Sequence, residues 1–393
     1  MRIGIITDET DTGDLRSPQT PKQLVGFGTY TINLVKHILL QDKKNEYFLI
    51  HRKKEEHEIY KMGAKEIIVP YNPRFPFSTI RNFVTLPLKL RKYRLDVVHH
   101  MTITGPFLFK PLMNFKAVET IHELMAVAYP QCFERSVRTV FRLLLPPIAK
   151  NSDHIFTAGE KWKAEISKRY GVPPEKISVI YPGSSPEYKP LDRQKCKKLL
   201  REKYSIKEPF LLFVSTLEAK KNVTTLLKAY KQLKERGAKH KLVLVGRKGY
   251  GYSHVEAAIK ELKIENDVIM PGYVPFNDLP AFYNAADIFV FPAYDSFNMT
   301  VVDAMKCGCP IVASDGGGAE EGLGGAAILV DVMDVKGYAD AMQKIIDNKK
   351  LAASLKKKSL EKAKKFSWET AARKTIAVYE QLGKASPNSS SRP

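Results

Sequence analysis

One pattern occurs twice in this chain and constrains its fold more than any other feature. Residues 2–7 (RIGIIT) and 210–215 (FLLFVS) are short, nearly continuous apolar runs, as expected of strands buried on both faces of a parallel sheet. Each is followed by a loop and then by a segment with helical spacing. In 29–40 the residues Ile32, Val35, Leu39 and Leu40 share a face, and in 223–233 Val223, Leu226, Leu227, Tyr230 and Leu233 do. Further apolar runs stand at 47–50, 66–69, 97–99, 117–121, 154–157 and 178–181, then at 242–245, 268–270, 288–291, 311–313 and 328–330. Helical stretches at 137–150, 161–170, 255–262, 279–285 and 301–306 separate most of them. Strand alternating with helix means an α/β fold with parallel sheets, and two such runs of similar length mean two Rossmann-like domains. Ligands of such sheets sit outside the carboxyl ends of the strands.

With 393 residues the chain has room for two full cores. The stretch PGSSPEYKPL at 182–191, rich in Pro, Gly and Ser, is the expected linker. It puts one domain at 1–186 and the other at 187–366. A final helix at 367–384, carrying Trp368, Ala371, Ala372, Ile376 and Tyr379, fits either domain by its pattern. The end at 385–393 closes on SPNSSSRP, is low in complexity and is expected to be disordered.

Composition narrows the class. Hydrophobic residues at 44% and charged residues at 27% exclude a disordered or collagenous chain. No apolar run reaches the roughly 18 residues of a membrane-spanning helix, and MRIGIITDET turns polar too early for a signal peptide. The four cysteines, Cys132, Cys196, Cys307 and Cys309, form no C-x-x-C pair and have no histidine cluster at zinc spacing. They read as small buried hydrophobes in a reducing cytoplasm, with no metal site. Lys and Arg number 63 against 42 Asp and Glu, a net charge of +21, which suits nucleic acid, an anionic membrane surface or a polyanionic small substrate. Nucleic acid is the weakest of these partners, because the densest lysine run, 349–365, holds eight lysines and no aromatic residue.

Several residues stand where such sheets bind ligands. Gly26-Phe27-Gly28 precedes the first helix after a long polar loop. It is either a tight turn or an approach for an anion to backbone N–H groups, and Thr31 replaces the third glycine of a dinucleotide fingerprint. Thr216 to Asn222 follows the strand 210–215, so Lys220 and Lys221 are either phosphate partners or solvated charge. Asp295 and Asp303 flank SFNMTVV after an apolar strand. Thr300 to Asp303 has capping-box form, which predicts a helix start at Thr300, Asp303 in its first turn, and the amides of 298–301 available to a diphosphate. Capping for Asp303 and turn formation for Asp295 are the competing readings. His122 ends the strand 117–121, placed for a ligand or held structurally.

These stretches share one order and spacing, and together they resemble the retaining glycosyltransferases of GT-B fold known as glycosyltransferase family 4. GFGTYTINLV is similar to the family's glycine loop and helix. DVVH and TIHELMAVAYP resemble its acceptor-domain strands, with the active-site histidine at His122. FVSTLEAKKNVTTLLKAY resembles the donor-domain opening, AADIFVFPAYDSFNMTVVDAMKCGCPIVASDGGGAEE the segment with two acidic residues, and FSWETAARKTIAVYEQL the helix that crosses back to the N-terminal domain. The resemblance runs from Arg2 to about Gln381. It implies an acceptor-binding N-terminal domain and a donor-binding C-terminal domain facing across a cleft.

The implied activity is transfer of a hexose of mannose, glucose or rhamnose type from a nucleotide-diphospho-sugar to an acceptor hydroxyl, lipid-linked or on an oligosaccharide, in glycan, lipopolysaccharide or glycolipid assembly. Front-face displacement with retention is implied, with no cofactor and no metal. The implied catalytic residues are His122, Lys221 and Asp295. The implied donor site comprises Gly26, Gly28, Thr216, Lys220, Lys221, Asp295 at the sugar, Asp303 at the ribose, the backbone of Tyr273 and Val274 at the base, and the stretch with Phe297, Asn298, Met299 and Thr300.

Departures from the family pattern matter. Both acidic positions usually hold Glu, and an Asp reaches about 1.3 Å less. A weakened or non-enzymatic nucleotide-sugar-binding homologue, or a GT-B phosphorylase or epimerase, is the alternative. Residues 80–94 add a membrane expectation: Ile80, Phe83, Val84 and Leu88 at helical spacing among Arg81, Lys89, Arg91, Lys92 and Arg94, interrupted by Pro87. That face either meets anionic headgroups or packs on the domain's own sheet.

Overall fold

A computed structural model of the chain describes residues 1–8, 26–54, 56–70, 77–103, 105–295 and 297–385. The polar loop before Gly26, and all of the tail except Ala385, lie outside the described residues. The chain divides into two units, one drawn from Met1–Leu124, Ser136–Pro182 and Ser367–Pro393, the other from Met125–Arg135 and Gly183–Phe366.

The first unit is built on strands β1 (Arg2–Ile6), β2 (Glu46–His51), β3 (Lys65–Ile68), β4 (Val97–His100), β5 (Lys116–Thr120), β6 (His154–Thr157) and β7 (Ile177–Val179). They form one parallel sheet in the order β3-β2-β1-β4-β5-β6-β7. Ile3 pairs with Tyr47 on one side and Val97 on the other, so β1 is central and its side chains are covered on both faces. The final helix, Trp368–Lys384, belongs to this unit and packs against the helix Phe27–Gln41. Trp368 meets the Tyr30 ring edge-on at 5.4 Å. Deeper in, His99 bridges Tyr379 at 2.5 Å and Thr120 at 2.7 Å. Burial holds that imidazole far below its usual pKa, so it is neutral.

The second unit repeats the plan with β8 (Phe210–Val214), β9 (Lys241–Val245), β10 (Val268–Gly272), β11 (Ile288–Phe291), β12 (Ile311–Ser314) and β13 (Ile328–Val330), in the parallel order β10-β9-β8-β11-β12-β13. Phe213 and Phe289 each stack on Phe291 at 5.8 Å, a ladder that fixes the middle of the sheet. The lysine run forms the helix Lys349–Ala363, which buries Leu355, Ser359 and Ala363 and leaves most of its lysines to solvent. In both sheets the order reverses beside the opening strand, at β1/β4 and at β8/β11. Loops leaving such neighbours diverge and open a crevice.

In the first unit, residues 80–94 divide between the two expected arrangements. Phe83, Leu86 and Leu90 join the core, while Ile80, Val84 and Leu88 are exposed. Arg81 is buried and donates to Asp8 at 2.6 Å, so it is no headgroup ligand. Pro87 does not break the helical path. A π turn at Arg81–Thr85 precedes it, and Pro87 falls in the first turn of Leu86–Arg91, where no N–H is needed.

Candidate functional site

In the first unit, Gly26 caps the helix Phe27–Gln41 with φ of +39°, and its carbonyl accepts the Tyr30 N–H at 3.0 Å. A left-handed residue at this cap suits glycine. The helix starts two residues earlier than the sequence suggests. Gly28 is therefore inside its first turn and buried, not in the loop before it.

His122 lies two residues beyond β5, and its ring is clasped by that same helix. Phe27 stacks on it at 4.9 Å and Tyr30 meets it edge-on at 4.6 Å. Nε2 donates to the Met101 carbonyl at 3.0 Å, which assigns the proton to Nε2 and leaves Nδ1 as an acceptor. Burial pushes the imidazole pKa down to about 4, against the opposing pull of the carbonyl. At neutral pH this group can orient a ligand or accept one hydrogen bond, but it supplies no charge.

Beside it is a pair that sequence reasoning passed over. His100 Nδ1, at the end of β4, is 2.9 Å from Glu119 Oε1 on β5, which also accepts the Gly105 N–H at 3.0 Å. A glutamate inside the apolar run KAVETI was the available signal.

In the second unit, β8 ends just before Thr216, and the lysines occupy a single turn, Ala219–Lys221. Lys220 Nζ is 3.6 Å from Glu218 and 5.5 Å from the centre of the Phe133 ring. Lys221 Nζ is 5.4 Å from the Phe291 ring at the end of β11. Both are half-buried and held, not waving in solvent. Asn222 sets the turn. It adopts φ of +52°, its amide donates to Val332 O at 2.7 Å and Pro292 O at 3.2 Å, and its Oδ1 accepts from Thr225 at 2.9 Å. The loops after β8, β11 and β13 are thereby laced together.

The Lys220 carbonyl also accepts the Tyr294 N–H at 3.3 Å, which brings Asp295 beside the lysine turn. Asp295 occupies a notch lined by glycine. A Cβ on Gly317, whose φ is +64°, would lie 1.9 Å from Asp295 Oδ1. Such a close fit marks a placed carboxylate more than a turn former.

The helix beyond it begins at Met299, not Thr300. Asn298 is the cap, accepting the N–H groups of Thr300 and Val301 at 3.1 and 3.4 Å and the Thr300 hydroxyl at 2.7 Å. The capping-box expectation is thus corrected. Asn offers a carbonyl oxygen at the better position, and two of the amides assigned to a diphosphate are already engaged. Asp303 accordingly falls in the second turn, where it is buried, accepts from Ser184 Oγ at 2.5 Å, and has its pKa pushed up to about 7 by burial. The Phe297 ring is buried against Phe366 at 4.9 Å, so it is a packing residue and not an open donor contact. After β10, Tyr273 is exposed and Val274 buried. Among the described residues no group of three or more His, Cys, Asp or Glu is placed to hold a metal ion, and no helix is long and apolar enough to cross a membrane.

Comparison with known proteins covers both units. Residues 26–188 match the family described as Glycosyltransferase Family 4, and residues 197–362 match Glycosyl transferases group 1. O-antigen chain mannosyltransferase B of Escherichia coli is 26% identical over 378 residues, spanning 91% of this chain and 97% of that protein. D-inositol 3-phosphate glycosyltransferase of Corynebacterium diphtheriae is 26% identical over 306 residues, 74% of this chain and 72% of that one. Among solved structures, sucrose-phosphate synthase from Thermosynechococcus elongatus superposes with a TM-score of 0.77 at 21% identity, covering 98% of this chain and all of that one, a likeness of fold.

Proposed function

Since the chain belongs to glycosyltransferase family 4 and is a hexosyltransferase of GT-B fold, we propose that it moves a hexose from a nucleotide-diphospho-sugar to an acceptor hydroxyl with retention at the anomeric carbon. The observation that carries this reading is the convergence at the β8/β11 switch point of the second unit. Lys221 and Asp295 leave the two flanking strands there, their loops laced together by Asn222 and the Lys220 carbonyl.

In this reading Lys221 takes the charge that develops on the departing diphosphate, the largest demand of the reaction. Asp295 holds hydroxyls of the donor sugar, Asp303 the ribose, and the backbone at Tyr273 and Val274 the base. His122, fixed as a neutral acceptor, orients the donor sugar. No metal is required, because cationic side chains and the remaining helix amides neutralise the diphosphate. The sugar is of mannose, glucose or rhamnose type, and the name of the Escherichia coli relative favours mannose and polysaccharide assembly.

The acceptor is lipid-linked or an oligosaccharide, and the enzyme works in the cytoplasm against an anionic membrane. Support for the membrane comes from Ile80, Val84 and Leu88, exposed one turn apart, with Arg91, Lys92 and Arg94 exposed at the end of the same segment. Liposome flotation at two salt concentrations tests this part. No flotation with anionic lipid at low salt speaks for a soluble acceptor.

A panel of nucleotide-sugars, read by thermal shift and by release of nucleoside diphosphate, tests the whole. One donor should raise Tm and be consumed. Binding without turnover would instead fit the weakened homologue.

A further inference from the structure

The surroundings of Asp303 are poorly suited to a charge. Tyr188 lies on one side, Tyr283 from the helix Leu279–Ala285 on another, and Cys307 one turn along its own helix. Burial pushes the pKa of each of the three upward, so all keep their protons. Two groups favour the ionised carboxyl, the nearby Lys306 and the hydroxyl of Ser184. Ser184 stands in PGSSPEYKPL, and its Oγ donates to Asp303 Oδ1 at 2.5 Å. Among the described residues no other hydrogen bond reaches the Asp303 side chain.

We infer that Ser184 is a positioning residue for the nucleotide: its hydroxyl holds one oxygen of Asp303 so that the other, Oδ2, is presented to the ribose hydroxyls of a nucleoside diphosphate. This rests on the nucleotide-sugar reading above. Three physical consequences favour it. A ribose hydroxyl donates, so it needs the carboxyl ionised and accepting, and a hydrogen bond from Ser184 stabilises that form. Asp is one methylene shorter than Glu and cannot adapt by reaching. Tethering one oxygen fixes the direction of the other and removes an ordering cost on binding. The serine also stands at the start of the second unit's main segment, so the ribose contact is set by residues distant in sequence from the helix that carries the acid.

Calorimetric titration with UDP, GDP and ADP, each at pH 6.5, 7.5 and 9, tests the inference on wild type, Ser184→Ala and Ser184→Thr. The phosphate's own titration is common to all three proteins and cancels in the comparison. Ser184→Ala should bind the preferred diphosphate roughly tenfold more weakly at pH 7.5, as for loss of one hydrogen bond to a charged group. Its affinity should return to within about threefold of wild type at pH 9, where the carboxyl ionises without help. Ser184→Thr, which keeps the hydroxyl, should track wild type throughout. Wild-type affinity and pH midpoint in Ser184→Ala would overturn the inference, and so would an equal loss at every pH, the mark of a merely structural role. If wild type binds none of the three diphosphates, the nucleotide reading itself fails, an outcome distinct from either of those.

Discussion

His122 and Asp303 are both buried titratable groups, one in each unit, and burial acts on both by opposing charge. The results differ. The imidazole moves away from neutrality, to about 4, and becomes a fixed neutral acceptor clasped by Phe27 and Tyr30. The carboxyl moves toward neutrality, to about 7, and becomes a group whose state small changes can set. The first unit therefore offers shape and a lone pair, whereas the second offers an adjustable charge with Lys306 nearby. Burial alone does not make a residue functional; what matters is where it leaves the pKa relative to the working pH.

The largest effect should come from removing charge in the second unit. Lys221→Ala should lower kcat by roughly 10²–10³, the loss typical of one transition-state charge stabiliser. Activity within threefold of wild type would transfer the role to Lys220 and weaken the contrast between the units. Asp295→Asn keeps size and removes charge, so kcat should fall about 10–100-fold while Tm stays close to wild type. An active Asn variant would return Asp295 to a turn-forming part.

Stability against pH sharpens the contrast further, because the two groups have opposite signs. His122 has a folded pKa below its unfolded value of 6.5. As pH falls from 6.5 toward 4 the unfolded chain takes up a proton that the folded one refuses, and stability drops by about 3 kcal/mol. Chemical denaturation of His122→Gln between pH 7 and 4 should lack that component. Asp303 has a folded pKa above its unfolded value of 3.8, so it costs stability as pH rises from 3.8 to about 7 and beyond. Asp303→Asn should therefore raise Tm of the ligand-free protein by about 3 °C at pH 8 while abolishing its gain on donor binding. A lower Tm would show that the carboxylate is better compensated than its burial implies. The smallest expected change is with EDTA, where turnover should stay within about twofold. A strong loss, restored by Mg²⁺, would mean that the second unit's own charges are insufficient.

Much of this arrangement was legible in the sequence, and what was missed has several causes. Every strand was visible as a short apolar run, most plainly the central ones, because a strand buried on both faces must be apolar throughout, as FLLFV and IFVF are. The helices Arg193–Tyr204 and Val335–Asp347 were not anticipated. The first buries little beyond Cys196 and Leu200, so its pattern is faint. The second, after Asp334, buries Tyr338, Ala339, Ala341 and Met342, and its pattern went unread. Lys220, Lys221 and Asp295 could be placed from their distance beyond a strand. By contrast, the pairing of Ser184 with Asp303 spans 119 residues, and that of His99 with Tyr379 spans 280. Hydrogen bonds of that separation leave no periodic trace. The start at Met299 was missed for a nearer reason: Asn298 and Thr300 are both good caps, and local sequence does not choose between them.

The helix Trp368–Lys384 has a consequence for how the protein is made. It covers the helix Phe27–Gln41 and meets His99 through Tyr379, yet more than 180 residues separate it from Pro182, where the earlier part of its unit ends. At ribosomal speeds of about 5–20 residues per second, the N-terminal sheet waits on the order of ten to forty seconds for its last layer. During that interval the seat of Trp368 and Tyr379 is an open apolar surface on a nascent chain. The second unit, whose main segment is continuous from Gly183 to Phe366, meets no such delay and should be the first to close.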